Sequence, residues 1–274
     1  MARASARSDA SLDLSRPLAR GRTAELYPWP DGHVLKLFRP GWSEEQARAE
    51  AAKTRAVHDA GLRVPAVGEV IIIDGRPGIP YRHVPGKTLL EALRQRPWSL
   101  GGAARSLADL HADLHRRMVT GLPPVKRRLA DKIRAADIPH RLRELVLAGL
   151  DSLPDGNRVC HGDFHPGNVI IGPDAPVVID WPDAACGDPL ADVARTSFLL
   201  EVSRLPPGWF SRGLLPAGRR LFHHIYLGRY FQVTGRDRRS LTCWSAVVAA
   251  ARLAERVPHE RGPLLRRVHA LVWP

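Results

Sequence analysis

The chain has 274 residues, of which 44% are hydrophobic and 25% charged, with a formal net charge of +13. That length suits one large domain or two modest ones, with chain to spare for a buried core, and the balance excludes an intrinsically disordered protein. No apolar run nears the roughly 18 residues of a membrane-spanning helix. Met1–Arg20 also lacks the apolar centre of a secretory signal, so no membrane or secretory segment is expected.

The positive charge is spread evenly, at net +4 for residues 1–87, +4 for 88–157 and +5 for 158–274. Only Lys126-Arg127-Arg128 and Arg236-Asp237-Arg238-Arg239 form dense clusters, and only five of the 41 basic residues are Lys. This reads as a composition bias more than a nucleic-acid surface, so a basic nucleic-acid-binding module stands as the lesser alternative. Cys160, Cys186 and Cys243 include no CxxC pair. Three buried thiols in a reducing cytoplasm, in a monomer or dimer, are the expectation.

In chain order, residues 25–29 and 33–38 flank Pro30-Asp31-Gly32, a hairpin signal. Ser43-Glu44-Glu45-Gln46 is a capping box that starts a helix running to Gly61. Val70–Ile73, Asp74-Gly75 and Gly78–Tyr81 predict a second hairpin, and Pro85-Gly86 punctuates the chain. Ala103, Leu107, Leu110, Leu114 and Met118 recur at helical spacing. Two short strands are expected at Val169–Ile171 and Val177–Ile179, and two helices near 216–232 and 241–256. A strand-rich small lobe, a Pro-Gly joint and a helical large lobe make a two-lobed α+β plan. The division expected is residues 1–16 as a flexible extension, 17–86 as the small lobe and 87–274 as the large one.

The chemistry concentrates in His161-Gly162-Asp163-Phe164-His165-Pro166-Gly167-Asn168, followed by Ile179-Asp180-Trp181. A carboxylate, an amide oxygen five residues on, and a second carboxylate after a short strand are the inventory phosphoryl transfer needs. One carboxylate orients the attacking hydroxyl, while an amide and a carboxylate hold Mg²⁺ against the phosphates. Lys36 is the single Lys within a strand pattern. It points off the sheet toward a cleft or toward solvent, and spacing alone does not choose between these. Gly86-Lys87-Thr88 imitates the end of a Walker A loop, but Tyr81 stands where its first Gly belongs.

The motifs HGDFHPGN at 161–168, IDW at 179–181 and GDPLADVA at 187–194 resemble the aminoglycoside phosphotransferase and choline kinase-like family, over about residues 17–257. The resemblance implies a protein kinase-like fold and an ATP- and Mg²⁺-dependent kinase of small hydroxylated molecules, with the nucleotide between the lobes. It assigns Asp163 as the catalytic carboxylate and Asn168 and Asp180 as Mg²⁺ ligands. It also gives Lys36 to the phosphates with Glu50 as its partner, and Gly21 and Thr23 to the phosphate-covering loop, which here has one Gly. The backbone at Arg82 and Val84 becomes the purine edge of a hinge that constrains ATP against GTP little. His161 and His165 are expected to brace the loop, and Asp188 and Asp192 to tie loop and helix together. A catalytically silent kinase-like binding protein is the alternative of another class.

The acceptor is less legible. After Asp192 the acidic side chains are Glu201, Asp237, Glu255 and Glu260, against 14 Arg. Binding a polycation requires carboxylates to pair desolvated ammonium groups. A neutral or weakly cationic acceptor, such as a nucleoside or macrolide, is therefore expected over an aminoglycoside. Trp209, Phe210, Phe222, Tyr226, Tyr230, Phe231 and Trp244 are core candidates, one or two of which could line a pocket.

Overall fold

Asp-Gly turns set the first antiparallel sheet. The computed structural model describes residues 14–202 and 215–272. Strands β1 (Ala19–Arg20), β2 (Ala24–Trp29), β3 (His33–Phe38), β4 (Ile71–Ile73) and β5 (Arg76–Arg82) pair in the order β1-β2-β3-β5-β4. Ile73 pairs with Arg76, and Asp74 and Gly75 between them both take left-handed backbone, at φ 47° and 73°. That conformation matches the right-handed twist of the strands it joins. Helix α1 (Glu44–Asp59) begins at the expected box: Gln46 N donates to Ser43 Oγ at 3.2 Å, and Ser43 N to Gln46 Oε1 at 2.9 Å.

Alternation along β3 sorts its side chains onto two faces. Leu35 and Leu37 pack with Tyr27 on one. Phe38 joins Ala47 and Ala51 of α1 on the other, and Lys36 shares that face.

The chain divides into two compact units. The first contains the residues up to Arg55 and Pro65–Val84, and the second Ala56–Val64 and Pro85 onward. The sequence reading had set its boundary after residue 86 and kept all of α1 in the small lobe.

The second unit contains β6 (Lys87–Thr88), α2 (Leu89–Gln95), α3 (Leu100–Leu114), α4 (Val125–Ala135), α5 (His140–Ser152), β7 (Arg158–Cys160), β8 (Val169–Ile171), β9 (Pro176–Val178), β10 (Ala185–Gly187), α6 (Pro189–Val202), α7 (Leu215–Thr234), α8 (Leu241–Leu253) and α9 (Arg261–Val272). β6, β8 and β9 form one small sheet, and β10 pairs with β7 in another. Helix α8 runs through the core, with Ala246–Ala251 buried. It packs on α4, α5, α6 and α9, while α3 packs on α7.

Two expectations are corrected here, and the core reading of the aromatic residues is met. Helix α3 stops at Leu114, and Met118, placed on its apolar stripe by spacing, is exposed. Cys160 is buried but Cys243 is exposed, so the three thiols do not share one environment. Phe222, Tyr226, Tyr230 and Trp244 are buried in the core and Phe231 packs against it, so these side chains fill the large unit instead of lining a pocket. Trp209 and Phe210 lie outside the described residues. No helix among the described residues is long and apolar enough to cross a membrane.

Candidate active site

Strand β7 delivers the chain into the loop 161–168, and that loop is braced from three directions. The His161 ring is fully buried; its Nε2 donates to the Ile179 carbonyl at 3.0 Å and its Nδ1 accepts from Asp163 N at 3.1 Å. Asp192 of α6 accepts from His161 N at 2.5 Å and from Gly162 N at 2.8 Å. Thr196, one turn further along α6, donates to the Phe164 carbonyl at 2.8 Å. Gly162 has φ +80°, and a Cβ there would lie 2.5 Å from the Asp183 carbonyl oxygen, so only glycine suits the turn that presents Asp163. Asp188 caps α6 by accepting from Leu190 N at 2.7 Å. The tying role expected of Asp188 and Asp192 is thus visible in the hydrogen bonds.

Asp163 keeps 28% of its side chain exposed. Arg195 of α6 donates to its Oδ1 at 3.2 Å and to the Gly162 carbonyl at 3.3 Å, and His165 Nε2 lies 3.6 Å from Oδ2. Burial alone pushes this carboxyl up; the neighbouring His165 ring and the Arg195 guanidinium outweigh it and hold Asp163 well below the usual carboxylate range. His165 also accepts from Gly167 N at 3.0 Å, which packs the loop as expected.

Asn168 and Asp180 meet at one end of the β8–β9 ribbon. Val169 pairs with Val178, and Ile179 N donates to the Asn168 carbonyl at 3.0 Å, which sets Asp180 one residue past that pair. The Asn168 side-chain nitrogen donates to the Asp163 carbonyl at 3.0 Å, so the amide oxygen is the atom of this side chain that could hold a metal ion. Asp180 is exposed and takes left-handed backbone at φ 66°. An amide oxygen and a carboxylate form a hard-oxygen pair of the kind Mg²⁺ selects.

Beneath the loop lies a buried network that the sequence reading missed. His111 on α3 and His115, the residue that caps its C-terminus one turn later, aim their Nε2 atoms at Asp192 Oδ2 from 3.2 and 3.4 Å. Their Nδ1 atoms meet the hydroxyls of Tyr226 and Tyr230, one turn apart on α7, both at 2.7 Å. The H-x3-H and Y-x3-Y spacings were readable. Their meeting point on Asp192 was not.

Near Asp163, three carboxylates of the described residues face cations of this chain. Asp183 is ion-paired with Arg128 and Lys132, both on α4. Glu255 pairs with Lys132 at 3.3 Å, with Arg195 at 3.2 Å and with Arg252. Arg252 also reaches Glu260 at 2.7 Å. These groups leave a crevice of about 40 Å³ next to the loop. Arg195, also missed, sits one helical turn after Asp192; that spacing puts both on one face of α6, and is the signal that could have found it.

The residues expected to face a nucleotide belong to the first unit. Lys36 Nζ contacts Glu50 Oε1 at 2.6 Å, with 13% and 5% of the two side chains exposed, and the Tyr81 hydroxyl donates to the same oxygen at 3.1 Å. Gly21 and Thr23 form the turn between β1 and β2. Gly21 N donates to the Ala24 carbonyl at 2.8 Å, and Arg39 binds both residues' carbonyls. The Arg82 amide is occupied by the Ala66 carbonyl at 2.8 Å and its side chain by the Asp31 carbonyl at 3.0 Å. Val84 makes no hydrogen bond within the described chain, so its backbone groups are open to a ligand.

A family model described as the phosphotransferase enzyme family matches residues 19–214. Among solved structures, the aminoglycoside-3′-phosphotransferase of type VIII is similar at TM-score 0.62 and 18% identity, over 88% of this chain and 93% of that one. A thermostable mutant of aminoglycoside phosphotransferase APH(4)-Ia, in ternary complex with AMP-PNP and hygromycin B, reaches 0.65 at 15% identity, over 96% and 93%. A choline/ethanolamine kinase family protein from Mesorhizobium loti reaches 0.55 at 18% identity, over 92% and 86%. At these identities the likeness shows the fold: protein kinase-like, β-rich in its N-terminal part and helical in its C-terminal part. No curated protein matches the sequence significantly.

Proposed function

Because the chain belongs to the phosphotransferase enzyme family, we propose that it transfers the γ-phosphoryl group of ATP to a hydroxyl of a neutral or weakly cationic small molecule. The observation that carries this reading is the carboxylate of Asp163, presented on a braced loop five residues before Asn168 and beside the strand pair that ends in Asp180. Lys36, steadied by Glu50, grips the phosphates; the β1–β2 turn at Gly21 and Thr23 covers them; the Val84 backbone meets the purine edge. A solved relative holds AMP-PNP, which supports a nucleotide donor.

Asn168 and Asp180 fit Mg²⁺ by the chemistry of their oxygens, and the ion supplies charge neutralisation at the phosphates when bound. Asp163 accepts a hydrogen bond from the acceptor hydroxyl and aligns its oxygen with phosphorus. The new O–P bond forms as the bond to the β-phosphate oxygen breaks, and the hydroxyl proton passes to the Asp163 carboxylate and from there to solvent, to which that side chain is partly exposed. Positioning and preorganised charge supply most of the acceleration.

The acceptor class follows from Asp183, Glu255 and Glu260, all of which already pair with Arg or Lys of this chain. None of the three is left to receive an ammonium group. That supports nucleoside- or macrolide-like acceptors over polycationic aminoglycosides.

The test is Asp163→Ala, read by mass gain across a panel of hydroxylated acceptors alongside nucleotide binding. Turnover should fall at least about 100-fold with ATP binding retained. A variant keeping more than about a tenth of wild-type kcat refutes the assignment.

A further inference from the structure

The ends of α4 and α8 enclose a second cavity, of about 600 Å³, that the phosphotransferase reading does not use. Its lining includes Arg134, Arg143, Arg256 and Arg261 against a single carboxylate, Asp137, with Leu253 as an apolar wall. Two of the four guanidiniums have carboxylate partners near the rim: Arg134 with Asp131 and Arg261 with Asp137, both at 3.1 Å between exposed groups. Such exposed pairs are weak and exchange readily for another anion.

The other two have none. Arg143 donates to the Ala136 and Ile138 carbonyls at 3.1 and 3.2 Å, and its Nε is buried with no hydrogen-bond partner. A buried, unmatched donor on a cation is costly unless a ligand meets it. Arg256 is exposed, its guanidinium makes no hydrogen bond or ion pair among the described residues, and its backbone holds φ +51° just past the end of α8. Glycine is the residue that ends helices in this conformation without strain. An arginine there keeps a strained backbone, and it is one of the residues that line the cavity.

We propose that this cavity binds the oxyanion group, phosphate or carboxylate, of a small molecule. Four planar forks can engage such a group in bidentate fashion, and the volume suits a ligand of metabolite size. The anion has two conceivable sources with the same chemistry: a separate anionic metabolite, or the charged end of an acceptor, an outcome that would also replace the neutral-acceptor reading.

The experiment titrates inorganic pyrophosphate into the full chain at low ionic strength, by calorimetry and thermal melting, with Arg256→Gly and Arg134→Gln in parallel. Wild type should bind, with affinity falling as salt is raised. Arg256→Gly should weaken binding at least about 10-fold while melting at a higher temperature than wild type when no anion is present, since glycine accepts φ +51° freely. A merely structural Arg256 would not show that opposition of binding and stability. Because Arg256→Gly relieves strain, it keeps the test open should the pocket tolerate other changes poorly.

Steady-state assays separate the sources. If the anion belongs to the acceptor, Arg256→Gly raises KM for phosphate- or carboxylate-bearing alcohols and leaves neutral ones unchanged. If the anion is separate, all acceptors keep their KM while the calorimetric loss remains. Either result supports the site. No pyrophosphate binding, or equal binding by wild type and Arg256→Gly as expected for capture at Lys36, overturns it. The binding readout requires no phosphoryl transfer, so it stands whether or not the acceptor reading does.

Discussion

Acid should destabilise this protein through His111, and the structure sets the size of the effect. The His111 ring is fully buried, with Nε2 at 3.2 Å from Asp192 Oδ2 and Nδ1 at 2.7 Å from the Tyr226 hydroxyl. Asp192 already accepts two backbone N–H groups, so as a carboxylate it takes a hydrogen from Nε2; Nδ1 then accepts from Tyr226, which is the neutral tautomer. Burial and the neighbouring His115 push its pKa down to about 3, against the opposing pull of the Asp192 hydrogen bond.

The unfolded chain takes up a proton near pH 6.5, well above the folded value. The stability this group contributes is therefore complete above about pH 6.5 and is lost as pH falls from there toward the folded value near 3. Going from about pH 7 to about pH 5, the loss is about 2 kcal/mol, set by protonation of the unfolded state alone. That is a sizeable part of the roughly 5–15 kcal/mol total of a typical domain. The assay is urea unfolding at both pH values for wild type and His111→Gln. The variant starts less stable, because Tyr226 and Asp192 lose a partner, but it should lose about 2 kcal/mol less between the two pH values. Equal losses in the two proteins would show that His111 is not held neutral, and the reasoning fails.

Three further outcomes are expected. Asp180→Asn and Asn168→Ala should shift the Mg²⁺ dependence of activity to higher concentration or lower its plateau; unchanged curves for both remove the metal role. Gly162→Ala combines φ +80° with a Cβ 2.5 Å from the Asp183 carbonyl. It should lower unfolding stability by about 2–4 kcal/mol, and a urea midpoint within error of wild type contradicts the loop geometry. A polycationic acceptor such as kanamycin should turn over more slowly than neutral hydroxylated compounds; micromolar KM for kanamycin with no better neutral acceptor overturns the charge argument.

The residues proposed to carry the reaction were legible in the sequence because they are neighbours along the chain. Asp163 and Asn168 lie in one loop, Asp180 just past the next hairpin, and the spacing that the chemistry demands is a spacing in sequence. The same holds for the hairpins, whose Asp-Gly turns act within a few residues, and for the Ser43 capping box. Lys36 was ambiguous between cleft and solvent until α1 brought Glu50 across the strand.

What the tertiary structure decided is everything that reaches those residues from elsewhere. Arg195 meets Asp163 across 32 positions, and His111 and His115 meet Tyr226 and Tyr230 across 115. Glu255 joins α4, α6 and α8 into one ion-pair network. Helical spacing shows which side chains share a face but not what packs opposite that face. The aromatic stripe therefore read as core with one or two side chains open to a pocket, until the packing of α7 against α3 and the central place of α8 buried it.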